Sequence, residues 1–206
     1  MNCWGEVGWT IIDYYLKRKP SFYYVKRSFA PRRLILRANG GTVCVMGVND
    51  TAEAISVDAE YGYVAFDGSF KAAQKTVLLL EPRSRKPVLE FAAGDNDSAE
   101  GIVYIKPLTS DTDILPATLR ACEFRRLRLP EPDVQISGIR FDGNDIHFLV
   151  SCGTYAHAVH FGLDDDIRLS DEYFDLLPGE SREVTVFGAA GRLSMDDIRP
   201  IAVTGH

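Results

Sequence analysis

The chain has 206 residues, 46% of them hydrophobic and 25% charged, and a formal net charge of −6. That is an ordinary globular composition, large enough for one or two domains with a core that needs no covalent staples. The acidic balance argues against a nucleic-acid binder, no apolar run is long enough to span a membrane, and the front of the chain carries no signal peptide. Cys3, Cys44, Cys122 and Cys152 form no CxxC pair and are too widely spaced for a disulfide scaffold, so they read as free, buried thiols rather than a zinc or redox site.

The charge is uneven along the chain. Between residues 17 and 37 stand Lys17, Arg18, Lys19, Lys26, Arg27, Arg32, Arg33 and Arg37 with no acid among them. Aromatic residues crowd the same stretch. Two readings are open: a polyanion-binding surface with stacking rings, or an amphipathic segment that packs by its rings and keeps its bases in water. Helical spacing favours the second. Pro20 suits a first helical turn and Pro31 stops the helix at Ala30. Phe22, Val25 and Phe29 then make one apolar stripe, with Lys26 and Arg27 toward the wet side. Full burial of each stripe residue is worth roughly 1.5–3 kcal/mol. A helix this short is marginal alone, so it must dock on something.

After Pro31 the pattern becomes that of strands. "RLILR" and "TVCVMGV" flank Asn39-Gly40-Gly41, a hairpin signal. "AISVDAEY", "YVAFDGSF", "KTVLLLEP" and "VLEFAAGDNDSAEGIVYIKP" follow, with turn residues at intervals of about ten, as in an antiparallel sandwich. Pro130 and Pro132 in "LRLPEPD" cannot sit in a central strand and mark a boundary. A second run of strands begins at Val134 and Ile136, turns at Asp142-Gly143, and continues through Ile146, Phe148 and Val150, "AHAVHFGL" and "REVTVFG". "SMDDIRPIAVTG" reads as a one-turn helix and a closing strand.

The chemistry-bearing residue types form no recognisable active site. Asp164-Asp165-Asp166 lacks the spaced oxygens and internal glycine of a calcium loop and reads as a solvated hairpin tip. Gly94-Asp95-Asn96-Asp97 reads as a turn. His157 and His160 point to opposite faces of a regular strand and cannot share a metal without a bulge. No nucleophile elbow or glycine-rich phosphate loop is present. "LSDEYFDLLPGE", residues 169–180, has neither a strand nor a helix period; it reads as an irregular crossing that plugs the sandwich with Tyr173 and Phe174, or as a ligand-gripping loop. Tyr61, Tyr63 and Tyr155 are the strand tyrosines that could form a sugar-binding platform.

Three stretches carry a resemblance. "SDEYFDLLPGE" resembles a motif of the C-terminal Ig-like domain of β-mannosidases and related family 2 glycoside hydrolases. "CWGEVGWTIIDYYLKRKPSFYYVKRSFAP" resembles the end of the catalytic (β/α)8 barrel of that family, and "GVNDT" at 47–51 resembles a strand of the domain that follows it. Asn2 and Gly5 depart from the family pattern, while Asp13, Tyr14 and Tyr15 fit it. The resemblance implies an all-β fold: two tandem Ig-like β-sandwich domains, 31–128 and 129–206, preceded by a short helical remnant of the barrel, 1–30. It implies a non-catalytic accessory region of a β-mannosidase-like enzyme that hydrolyses terminal β-linked sugars. The family's catalytic glutamates lie on earlier barrel strands, so no catalytic residue, metal or cofactor is expected here. Trp4 would line the sugar pocket of the intact enzyme or anchor the barrel's last loop. The implied partners are the catalytic barrel, the oligosaccharide substrate and, through helix 20–29, a second copy of the chain. The rival reading, from another class, is a carbohydrate-binding sandwich without hydrolytic activity.

Overall fold

The structure, a computed structural model, describes residues 10–94, 97–109, 113–164 and 166–204. The chain forms two compact units: one is Phe29–Leu129, and the other joins the segment up to Ser28 with the chain from Pro130 onward.

In the first unit the strands are β1 (Arg32–Asn39), β2 (Thr42–Asn49), β3 (Ile55–Ala65), β4 (Lys71–Leu80), β5 (Ser84–Ala92), β6 (Gly101–Pro107) and β7 (Ala117–Leu119). They make two antiparallel sheets of order β1-β2-β5 and β4-β3-β6-β7. The expected hairpin is present: Asn39 pairs with Thr42 across Gly40 and Gly41. Both glycines have positive φ, 54° and 91°, as a turn matching the strand twist requires. Strand alternation sends Leu36, Val45, Val57, Leu78, Leu80 and Ile105 into the space between the sheets. β3 runs unbroken through Gly62, where the sequence suggested two strands. Gly62 is there for a close approach: a Cβ at this position would lie 1.9 Å from the carbonyl oxygen of Ala72. Pro87 is tolerated in β5 because β5 is an edge strand and its pairing with β2 is irregular opposite Val45 and Met46.

The second unit repeats the plan. Its strands are β8 (Val134–Asp142), β9 (Asp145–Cys152), β10 (Ala156–His160), β11 (Arg168–Leu169), β12 (Phe174–Leu176), β13 (Ser181–Phe187) and β14 (Ile201–Val203). The sheets have the orders β11-β13-β9-β8 and β12-β10-β14. Phe148, Val150, Phe161, Phe174, Val184 and Val186 fill the core between them. A one-turn 3-10 helix, Met195–Asp197, precedes β14 as expected. The N-terminal helix α1 (Pro20–Ser28) belongs to this unit.

Candidate functional site

The most elaborate polar constellation is the seat of α1, built on residues 169–175. After β11 the chain does not continue as a strand. Tyr173 takes a left-handed conformation, φ 51°, which reverses the side-chain alternation at that point. Phe174 and Leu176 then turn into the core and Asp175 lies between them. This explains why the segment shows no single period. Phe174 is the sandwich plug, 2% exposed. Tyr173 is not: its ring stacks on His160, with centroids 5.0 Å apart, and meets Tyr23 of α1 at 6.1 Å.

The helix reaches this seat by a different face from the one its apolar spacing suggested. α1 stops at Ser28, because the residue before a proline avoids helical geometry and Pro31 follows closely. Phe29 therefore falls past the helix end and is 82% exposed, while Phe22 and Val25 are half-buried. Tyr23 is the ring that goes in, at 2% exposure. Its seat contains polar groups that a phenylalanine could not satisfy, since the hydroxyl meets both Arg18 and Glu172. Burial, reinforced by the negative Glu172, pushes the Tyr23 pKa up to about 12.

Of the two bases expected in water, Lys26 is exposed and reaches only the rim of the seat, whereas Arg27 is drawn into it. Arg27 Nη1 lies 2.5 Å from Asp171 Oδ1 and donates to the carbonyl of Glu172, while Nη2 donates to the carbonyl of Tyr173 at 2.8 Å. Lys26 Nζ donates to the carbonyl of Ser170. Arg182 Nη1 reaches the other oxygen of Asp171 at 2.8 Å and its guanidinium covers the ring of Phe174. One carboxylate thus ties a helix arginine to a sheet arginine, with all three side chains between 14% and 19% exposed. The planar guanidinium suits this work, having enough donors to bind the carboxylate and backbone carbonyls together.

Behind the seat lies a second polar knot. Asp175 Oδ2 accepts from the Tyr155 hydroxyl at 2.7 Å, and Oδ1 is 2.7 Å from His157 Nδ1 and 3.1 Å from the backbone N–H of Ala158. An ionised carboxylate only accepts, so Nδ1 carries the proton. Burial alone would raise the Asp175 pKa, but these donors outweigh it and hold the carboxyl below its ordinary value. Burial draws the His160 pKa down.

The residues singled out from the sequence fall as follows. Trp4 and Cys3 lie outside the described residues, as do Asp95, Asn96, Asp165 and His206. β10 does carry a bulge between His157 and His160, with Ala158 at φ 51°. The two rings nevertheless have different neighbours, Asp175 and Tyr173. Among the described residues no group of three or more His, Cys, Asp or Glu is placed to hold a metal ion. Asp166 pairs with Arg192 at 2.7 Å. Cys44, Cys122 and Cys152 are free thiols; Cys152 is buried and the other two are half-buried. Tyr155 is only 2% exposed, so it offers no platform. Tyr61 and Tyr63, 9% and 7% exposed, are core residues as well and offer no open platform; their edges floor a cleft in the other unit, with Gln74 and Phe91. The helix seat had escaped sequence reasoning; its only signal was the acidic, aperiodic "SDEYFD" facing a basic helix.

Comparison with known proteins places this arrangement. Residues 129–198 match the Ig-fold domain family of mannosidases. β-Mannosidase B of Aspergillus flavus is 25% identical over 207 residues, covering 91% of this chain and 24% of that protein. β-Mannosidase B of Thermothelomyces thermophilus is 28% identical over 221 residues, covering 91% of the chain and 25% of that protein. The chain resembles the C-terminal region of a family 2 β-mannosidase. It spans about a quarter of the length of the curated relatives it matches. The solved β-D-mannosidase of Dictyoglomus thermophilum superposes with a TM-score of 0.88 at 24% identity, covering 99% of this chain and 25% of that one. An exo-chitosanase of Amycolatopsis orientalis gives 0.61 at 13% identity, covering 98% of this chain and 30% of that one. These likenesses fix the fold as all-β and Ig-like.

Proposed function

We propose that this β-mannosidase-like region is a non-catalytic accessory part of a family 2 glycoside hydrolase that removes terminal β-linked sugars. Its work is mechanical: it carries the helix that ends the catalytic barrel and locks that helix onto the Ig-fold domain. The observation that carries the reading is the seat of α1, where Tyr23, Lys26 and Arg27 are held by residues 170–173. Tyr14, Tyr15 and Leu16, just before the helix, are 60–71% exposed. These apolar groups suit a barrel wall; a second copy of the chain is the occupant for segment 20–29, where Tyr24 and Phe29 remain exposed.

The carboxyl groups support a role without catalysis. A glycosidase needs an acid whose pKa is raised, opposite a second carboxylate. Among the described residues every carboxyl with a resolved shift is lowered: Asp50, Glu60, Asp67, Asp166, Asp175 and Asp197. The buried ones are committed to structural partners, Glu60 to Tyr104 and Lys71, and Asp13 to the backbone of Lys17. The test is hydrolysis of an aryl β-mannoside by the purified chain. No turnover is expected, and turnover that co-purifies with the chain would overturn the proposal.

A further inference from the structure

The cleft between the two sheets of the first unit has no part in the helix seat. Strand alternation puts Ala72 and Gln74 of β4 on the same face as Leu78 and Leu80. Leu78 and Leu80 are each 1% exposed and lie in the core, whereas Ala72 and Gln74 are exposed. The sandwich therefore gapes where β4 begins. Opposite, the end of β5 supplies Phe91, the residue just past it is Ala93, and the middle of β3 supplies Tyr61 and Tyr63. Both β4 and β5 are edge strands, so neither sheet continues across the opening. The cleft holds about 340 Å³, within the range of small-ligand sites.

The lining is selective in its chemistry. Among the described residues the lining of the cleft includes no acid and no base, in a chain where a quarter of the residues are charged. An ionic ligand would enter without a counter-charge, so the occupant is neutral. Tyr61 and Phe91 present adjoining rings, 4.7 Å between centroids. Tyr61 donates its hydroxyl proton to Gln74 Oε1 at 2.7 Å. That bond assigns the acceptor end of the carboxamide, so its N–H groups are the donors a ligand would meet. Alanines and a glycine replace the larger side chains that would close the mouth. The half-buried Phe91 ring offers a C–H surface, the exposed Gln74 an amide for hydroxyls, and the described lining no charge, with the buried Tyr61 and Tyr63 as the floor; these suit an uncharged pyranose.

We propose that this cleft binds one neutral hexose unit of an oligosaccharide, apart from any catalytic centre. The choice of a sugar among neutral ligands rests on the β-mannosidase-like reading above; the cleft itself does not. The test is titration of the full 206-residue chain with mannohexaose and cellohexaose, followed by calorimetry and amide chemical shifts, with a galacturonate hexamer as the acidic control. Gln74→Leu and Ala72→Trp alter exposed positions, and circular dichroism checks that both variants fold. The expected result is millimolar or tighter binding of a neutral hexaose, shifts at residues 61–63, 72–74 and 91–94, weakening of about tenfold or more in both variants, and no binding of the acidic oligomer. Absence of binding by both neutral hexaoses, binding unchanged in the variants, or equal binding of the acidic oligomer would overturn it. None of those outcomes touches the accessory reading, which fails only on hydrolysis by the chain.

Discussion

Arg27 and Arg182 meet on a single carboxylate, that of Asp171, one at 2.5 Å and the other at 2.8 Å. Each guanidinium comes from a different part of the chain, and both arginine side chains are less than a fifth exposed. Removing one member of a half-buried ion cluster leaves the others uncompensated, which costs more than the cluster contributes net. Asp171→Ala is expected to destabilise the second unit by about 3 kcal/mol, read from urea denaturation. Asp171→Asn keeps the shape but loses the charge and should fall between the two proteins. If both variants unfold at the wild-type midpoint, the cluster is not holding the helix.

Tyr23 separates packing from hydrogen bonding in the same seat. Tyr23→Phe keeps the ring but removes the hydroxyl that meets Arg18 and Glu172, and about 1 kcal/mol should be lost. Tyr23→Ala also opens a cavity, for about 3 kcal/mol or more, and should speed amide exchange throughout α1. The sign of the pH effect follows from the raised pKa. Folding favours the protonated phenol, so its contribution is full below the ordinary tyrosine value of 10.0 and is lost as pH rises through about 12. Ultraviolet titration should show a phenol that ionises at about pH 12 in the wild type and is missing from Tyr23→Phe.

How far all this was legible in the sequence depends on the range of each interaction. Gly40-Gly41, Asp142-Gly143 and the alternation around Val45 or Val150 act over a few residues, and these placed the hairpins and the sandwich class. The seat joins Arg27 to Asp171, 144 residues apart. Local spacing could only rank the helix faces by apolarity, and so it chose Phe22, Val25 and Phe29. Tyr23 wins because its hydroxyl has a partner in Glu172, a fact local spacing does not contain. The same limit applies to the cleft. Tyr61 and Tyr63 could be named as aromatic, but the gap they border exists because the start of β4 and the end of β5 face each other in different sheets.

Gly62 gives a prediction in the first unit. Its φ of +150° disfavours any L side chain, and an added methyl would strike the backbone of Ala72 at 1.9 Å, where no flexible side chain can give way. Gly62→Ala should therefore cost about 3 kcal/mol, from strain and displacement of β4 together. A thermal denaturation midpoint within a degree or so of wild type would show that the β3–β4 approach is looser than described. Gly143→Ala serves as the control, since nothing lies within 4 Å of its added carbon, and only the turn strain at φ +58° remains.

Acid should weaken the second unit in two steps, through His160 and Asp175, whose pKa values are both lowered. His160 is half-buried, stacked on Tyr173. The folded state disfavours its proton, so the full contribution is present above the ordinary histidine value of 6.5 and declines as pH falls below it. Asp175 is lowered by His157, Tyr155 and Ala158 despite its burial. Its contribution is full above the ordinary carboxyl value of 3.8 and is lost on further acidification. Unfolding free energy measured between about pH 8 and pH 3 should first slope gently and then more steeply. His160→Phe preserves a ring for Tyr173 and should flatten the first limb alone. Asp175→Asn should reduce the second, leaving what Asp166 and Asp197 of the same unit supply, at the cost of lower stability at neutral pH, because an amide presents one acceptor oxygen where the carboxylate has two. A first limb that survives in His160→Phe would assign it to another group.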